Sequence, residues 1–251
     1  MTHIKNNFSF LYFSLCLGIL FTFSAFKSGD LPDDIKPVTT HQGFDQLLKK
    51  YVSTAGAVNY AGFKKDRVEL DSYLKFLSKS VPTKVSTKDE KLAYWMNAYN
   101  AFTIKLVVNK YPVSSIKDIS SKPWDIKFIK LADKTYSLND IEHEILRKMN
   151  DPRIHVGINC ASVSCPKLSN RAFTAANVNE ELNKLVRVFL MDKSKNRIKQ
   201  DEIAISKIFS WFKDDFTQKG TLIDWINTYA DIKVKPTAKV SYLKYDWNLN
   251  K

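Results

Sequence analysis

The stretch over residues 87–110 constrains this chain more than any other. Thr87 and Glu90 stand three apart at its start. That is the spacing of a capping box, in which the hydroxyl and the carboxylate satisfy backbone N–H groups that a helix leaves free. Leu92, Trp95, Met96, Tyr99, Phe102, Thr103 and Leu106 fall on one face, and Ala93, Asn97, Asn100, Ile104 and Val108 on another. A helix with two largely uncharged faces is enclosed on most sides, so the rest of the chain must wrap around it. It stops at Tyr111-Pro112, because the residue before a proline is pushed out of the helical conformation.

The remaining periodicities are shorter. Helical spacing places Leu47, Leu48, Tyr51 and Val52 on one helix and Leu70, Tyr73, Leu74 and Leu77 on a second. Further helices are expected over residues 137–149, 174–191 and 222–229, with a short one beginning at Trp211 and Phe212. Residues 126–131 and 135–138 flank Asp133-Lys134 as a hairpin. Residues 153–160, 203–205 and 240–245 read as short strands. There is no internal repeat, and helices and strands do not alternate as βαβ units. The expected fold class is therefore α+β, with one mostly helical domain over residues 41–251 and a small mixed or antiparallel sheet containing residues 153–160. A hydrophobic fraction of 44% with only 7 Gly and 8 Pro excludes a disordered or collagen-like chain.

Residues 8–26 carry no charge, with His3 and Lys5 before them and Lys27, Ser28 and Gly29 after. This is the pattern of an export signal, or of an uncleaved membrane anchor, over residues 1–28. A buried core helix would be expected to show a polar face, which this run lacks. Pro32 and Pro37 among polar residues mark a linker over residues 29–40. Export places the protein in the periplasm or outside the cell. Cys16 sits within the apolar run behind a poor lipobox and reads as part of the signal. All but two of the 39 basic residues lie beyond residue 28, and the net charge of the chain is +13. Such a surplus gives a weak preference for anionic surfaces. The lysines are scattered without a run of five, so no nucleic-acid partner is expected, and contact with a membrane is expected only through the anchor. The partner or substrate is otherwise unspecified, and no cofactor is implied.

Candidate chemistry gathers in Asp151-Pro-Arg-Ile-His-Val-Gly-Ile-Asn-Cys-Ala-Ser-Val-Ser-Cys-Pro166. On a strand, His155, Gly157 and Asn159 would share a face opposite Ile154, Val156, Ile158 and Cys160. A face of His, Gly and Asn buries little apolar area, so His155 is expected to border a pocket near Cys165, Cys160, Glu142, Asn97 or Asn100. On a straight strand His155 and Cys160 would be about 16 Å apart, and they can meet only if the chain bends after Asn159. Four readings of the cysteines stand. One is a thiolate activated by His155. Cys160 and Cys165 could form a disulfide, both could be inert core thiols, or they could join His143 and His155 around zinc, for which the spacing is marginal. Asn97 and Asn100 either point into a pocket or tie down the backbone of packed loops, the commoner fate of a buried amide. Glu142 lies beside the apolar stripe of its helix and either orients an imidazole or pairs with Arg147 or Arg153. His143 is expected at the surface. The tryptophans at 95, 124, 211, 225 and 247 read as core rather than as a sugar-binding platform. No Gly-rich phosphate loop, Gly-x-Ser-x-Gly or His-Glu-x-x-His motif is present.

Six segments in this order resemble the domain of unknown function 547 family of bacteria and plants. They are Leu92-Ala-Tyr-Trp-Met-Asn-Ala-Tyr-Asn-Ala101, Ser115-Ile-Lys-Asp-Ile119, Ser137-Leu-Asn-Asp-Ile-Glu-His-Glu-Ile-Leu-Arg147, the His/Cys segment, Ser206-Lys-Ile-Phe-Ser-Trp-Phe212 and Tyr245-Asp-Trp-Asn-Leu-Asn250. They span roughly residues 50–250. The resemblance implies no established activity. Phe212 stands where Tyr is common, which removes one hydroxyl.

Two functions follow as expectations. The first is a thiol-dependent hydrolase or acyl transferase, with Cys165 or Cys160 as nucleophile, His155 as base and Asn100 or Glu142 as orienting group. The second is a non-enzymatic binding or scaffold domain in which Cys160 and Cys165 form a structural disulfide.

Overall fold

A computed structural model describes residues 40–251. The expected signal or anchor and nearly all of the linker lie outside the described residues. The central element is α4, Lys88–Lys110, whose Thr87–Glu90 capping box forms in both directions. Sixteen of its 23 residues are buried. Against it pack α2 (Tyr60–Lys65), α3 (Arg67–Lys79) and α6 (Val178–Met191), and α1 (Gln42–Tyr51) packs on α2 and α3. The hairpin expected around Asp133 is present as antiparallel β1 (Ile129–Leu131) and β2 (Lys134–Tyr136). A second sheet is mixed. β3 (Arg197–Ile198) runs antiparallel to β4 (Glu202–Ile205), which pairs in parallel with β5 (Lys239–Tyr242). The fold is α+β with two small sheets.

The expectation of a strand over residues 153–160 is overturned. Ile154–Gly157 is a single helical turn, α5, packed between α4 and α6. Its start explains the difference. The Asp151 carboxylate accepts the Arg153 N–H at 3.1 Å, and Pro152 supplies a backbone angle already suited to a helix. Residues 137–149 are also not a plain α-helix. Asp140–Leu146 is π-helical and Arg147–Met149 tightens to a 3₁₀ turn. Such widened turns recur at functional sites.

Gly157 is fixed by packing. A Cβ added there would lie 2.6 Å from Met96 Sδ on α4 and 2.9 Å from Leu182 Cδ2 on α6. Both neighbours are fully buried. Gly157→Ala should therefore lower stability by about 1–3 kcal/mol, the usual cost of overpacking. Urea unfolding checks this, and an unchanged midpoint would contradict the close crossing of α4, α5 and α6.

Candidate functional site

The site is assembled on the loop that follows α5. Asn100, on α4, donates its amide to the Gly157 carbonyl at 2.9 Å and accepts the Asn159 N–H at 2.9 Å. Both amide ends are consumed, so Asn100 holds the loop and does not face the cavity. Asn97, one turn earlier, grips both backbone groups of Phe173 in the same way. Asn159 donates to the Pro166 carbonyl and accepts the Ala161 N–H, closing the loop on itself. The chain then turns sharply at Ala161, whose φ of 61° lies in the left-handed region that favours glycine. This bend brings Cys160 and Cys165 to the cavity that His155 also lines. From outside, the segment Asp246–Asn250 straps the loop: Val163 and Ser164 donate to the carbonyls of Asn248 and Asp246, and Asn250 reaches Asn159.

The cavity has a volume of about 160 Å³. Glu142, His143 and His155 line one part of it, Cys160 and Cys165 another, and Trp124, Trp211, Phe212, Tyr245 and Trp247 are also in its wall. The two sulfurs lie 2.9 Å apart, well beyond the bonded distance of about 2.05 Å, and both cysteines are free thiols. The expected disulfide is therefore absent. Cys160 Sγ lies 3.1 Å from Ser162 Oγ and 3.2 Å from Tyr245 Oη. Three hydrogen-bonding groups, the Cys165 thiol and the Ser162 and Tyr245 hydroxyls, thus stand within reach of its sulfur. Hydrogen bonding by Cys165 first, then by Ser162 and Tyr245, outweighs burial and brings Cys160 down to about 7. Burial, and the negative charge on its neighbour, push Cys165 the other way. The two shifts run in opposite directions, so Cys160 is the more acidic of the pair.

His155 is almost wholly buried and stacks on Phe212 with ring centroids 3.9 Å apart. Its Nε2 lies 2.7 Å from Asp215 Oδ2. Arg147 also grips Asp215 in a two-pronged pair at 2.7 and 2.9 Å. Against the pull of burial, these two partners hold Asp215 well below the usual carboxylate range. Ionised Asp215 therefore takes the Nε2 proton as a hydrogen bond and leaves Nδ1 as the free acceptor of His155. Burial keeps the ring neutral by lowering its pKa. Nδ1 faces Glu142 Oε1 at 3.9 Å.

Glu142 has no arginine partner. Arg147 is taken by Asp215 and Arg153 by Asp151. Tyr99 donates to Glu142 Oε2 at 3.1 Å. Burial, reinforced by the charge on Cys160, raises Glu142 to about 7. A chain of polar groups thus runs from Arg147 through Asp215, His155 and Glu142 to Tyr99. His143 is half-buried and lies 3.0 Å from Arg147. The four-ligand zinc set is not assembled, and among the described residues no three His, Cys, Asp or Glu side chains are grouped to hold a metal.

Sequence reasoning missed Asp215, Tyr245 and Ser162. Asp215 lies in α8 (Lys213–Phe216), which follows α7 (Ile208–Trp211), 60 residues from His155 with no local pattern pointing to it. Of the tryptophans read as core, Trp124 and Trp247 pack against it and also line the cavity, whereas Trp211 is exposed at the cavity wall. A larger cavity of about 490 Å³ lies near Leu190, Ile198 and Ile232 and contains neither cysteine nor histidine.

Residues 82–190 match the family model described as Protein of unknown function, DUF547. No curated protein and no solved structure matches. The matched residues contribute Tyr99, Glu142, His155, Cys160 and Cys165, and Trp211, Asp215, Tyr245 and Trp247 lie beyond them.

Proposed function

We propose, for a chain that carries a DUF547-family domain over residues 82–190, that the cavity is a thiol-dependent acyl-transfer site acting as a hydrolase or acyl transferase. One observation carries the reading: the Cys160 sulfur stands in the cavity wall within hydrogen-bonding distance of Cys165, Ser162 and Tyr245. The Cys160 thiolate attacks the carbonyl carbon of an acyl donor, and the bond to the leaving group breaks. Glu142, protonated near neutrality, gives its proton to the departing group. The resulting thioester on Cys160 is attacked by water or a second nucleophile, whose proton returns to Glu142, and the thiolate is restored. Asp215 fixes the His155 tautomer, so that Nδ1 faces Glu142 across 3.9 Å as an unprotonated nitrogen. Asn100 positions the loop that carries both sulfurs. The signal-like residues 8–26 support an action outside the cytoplasm, and the basic surplus supports an anionic neighbour. The scaffold alternative needs a disulfide corner, and the thiols are free.

p-Nitrophenyl acetate tests this. Acetyl should appear on Cys160 in peptide maps, at a rate that rises as the Cys160 thiolate forms and falls as Glu142 loses its proton, so that it peaks near pH 7. Cys160→Ser should abolish the adduct. Acetylation elsewhere, or a profile centred near the ordinary thiol value of about 8.5, would defeat the reading.

A further inference from the structure

The acyl-transfer reading uses one sulfur and leaves the second unexplained. Cys165 is 5% exposed, and its Sγ lies 2.9 Å from Cys160 Sγ. It accepts the Cys160 N–H at 3.0 Å, which holds it against its neighbour. It also stands in the cavity wall, a place that an inert core thiol would not need.

We propose that Cys160 and Cys165 are a redox couple that reduces a low-molecular-weight disulfide by thiol–disulfide exchange. The inference rests on the Cys160 thiolate of the reading above but not on its acyl chemistry. The Cys160 thiolate attacks one sulfur of a disulfide R–S–S–R′. A Cys160–S–S–R bond forms, and R′S⁻ leaves and takes up a proton. Cys165 then loses its proton and attacks Cys160 Sγ. The bond to R breaks, and RS⁻ leaves with that proton. The substrate gains two electrons and becomes two thiols, and the protein loses two electrons and becomes the Cys160–Cys165 disulfide.

The geometry suits each half. The Ser162 and Tyr245 hydroxyls within hydrogen-bonding distance of Cys160 Sγ suit it as the attacking sulfur, and as the better leaving group when the protein disulfide is reduced again. Burial keeps Cys165 protonated until a mixed disulfide removes the charge beside it. Closing the protein disulfide requires the sulfurs to approach by about 0.9 Å from their present separation. A cavity of about 160 Å³ admits the end of a small molecule, not the disulfide of a folded protein. Trp124, Trp211 and Trp247 in its wall favour an apolar or ring-bearing group on the disulfide.

The test equilibrates the reduced full-length protein in glutathione and glutathione disulfide at graded ratios. Acid quenching, maleimide labelling and peptide mapping then follow, with mapping to keep Cys16 apart. The wild type should lose both labels together, with the mass of two hydrogens, and regain them on reduction. Cys165→Ser, whose hydroxyl can still accept the Cys160 N–H, should accumulate one glutathionyl group on Cys160. Cys160→Ser should carry neither modification. A glutathionyl adduct that persists on wild-type Cys160 would overturn the proposal, because Cys165 would then not resolve it. So would labels retained on both thiols under the most oxidising ratio. Neither result touches the acetylation test. Failure of acetylation with a normal redox response would discard acyl transfer alone.

Discussion

Replacing Asn100 by alanine should cost about 4 kcal/mol of stability and silence Cys160 with it. The amide serves two buried backbone groups, the Gly157 carbonyl and the Asn159 N–H. Alanine leaves both without a partner, and each orphaned buried group costs about 1–3 kcal/mol. A single domain of ordinary stability has roughly 5–15 kcal/mol in all, so the variant would approach the edge of folding. Asn97→Ala is the matched control. It orphans both backbone groups of Phe173, so it should destabilise comparably. Phe173 lies past the loop that carries the thiols, so reactivity at Cys160 should survive in the folded fraction. Urea unfolding combined with the rate of Cys160 alkylation separates the two. Equal loss of reactivity in both variants would mean that Asn100 has no special hold on the loop.

Glu142→Gln should stabilise the protein above neutral pH and leave it unchanged near pH 4. A carboxyl whose pKa rises from its ordinary 4.5 to about 7 holds its proton longer in the folded state than in the unfolded one. Between those values the folded protein binds more protons, so stability falls as pH rises. The accumulated cost is about 3 kcal/mol at pH 8, since each tenfold change in proton affinity is worth about 1.4 kcal/mol. Glutamine keeps the acceptor for Tyr99 and cannot ionise, so this part of the pH dependence disappears. Thermal midpoints of both proteins across pH 4–8 should converge at the acid end and separate at the basic end. Parallel curves would show that the buried carboxyl is not proton-bound at neutrality. The same substitution should slow release of p-nitrophenol, since the proton donor to the leaving group is lost.

The parts of this fold that are readable are those written in local patterns. The α4 helix announces itself by a capping box and two apolar faces, and the β1–β2 hairpin by its flanking runs around Asp133. The α5 turn reads wrongly as a strand because five residues of alternating size fit a strand as well as one helical turn. The distinguishing signal is Asp151-Pro152, a cap followed by a helix-starting proline. In the site, the His/Cys segment and Glu142 stand out by residue type. Their partners do not. Arg147 and Arg153 are both open to Glu142 by residue type; Arg153 instead pairs locally with Asp151, and tertiary packing brings Asp215 to Arg147. Asp215 carries no local mark of its role, because its contact with His155 spans 60 residues.

Three of the five tryptophans, Trp124, Trp211 and Trp247, stand in the wall of the cavity that holds the sulfurs. Thiolates and disulfides both quench indole emission at short range, by electron transfer. The protein therefore carries its own optical gauge. Its steady-state fluorescence should change when Cys160 gains or loses a proton, and again when a ligand displaces water from the rings. Chemistry at one sulfur could then be followed in real time, without a label, by light that the site itself emits.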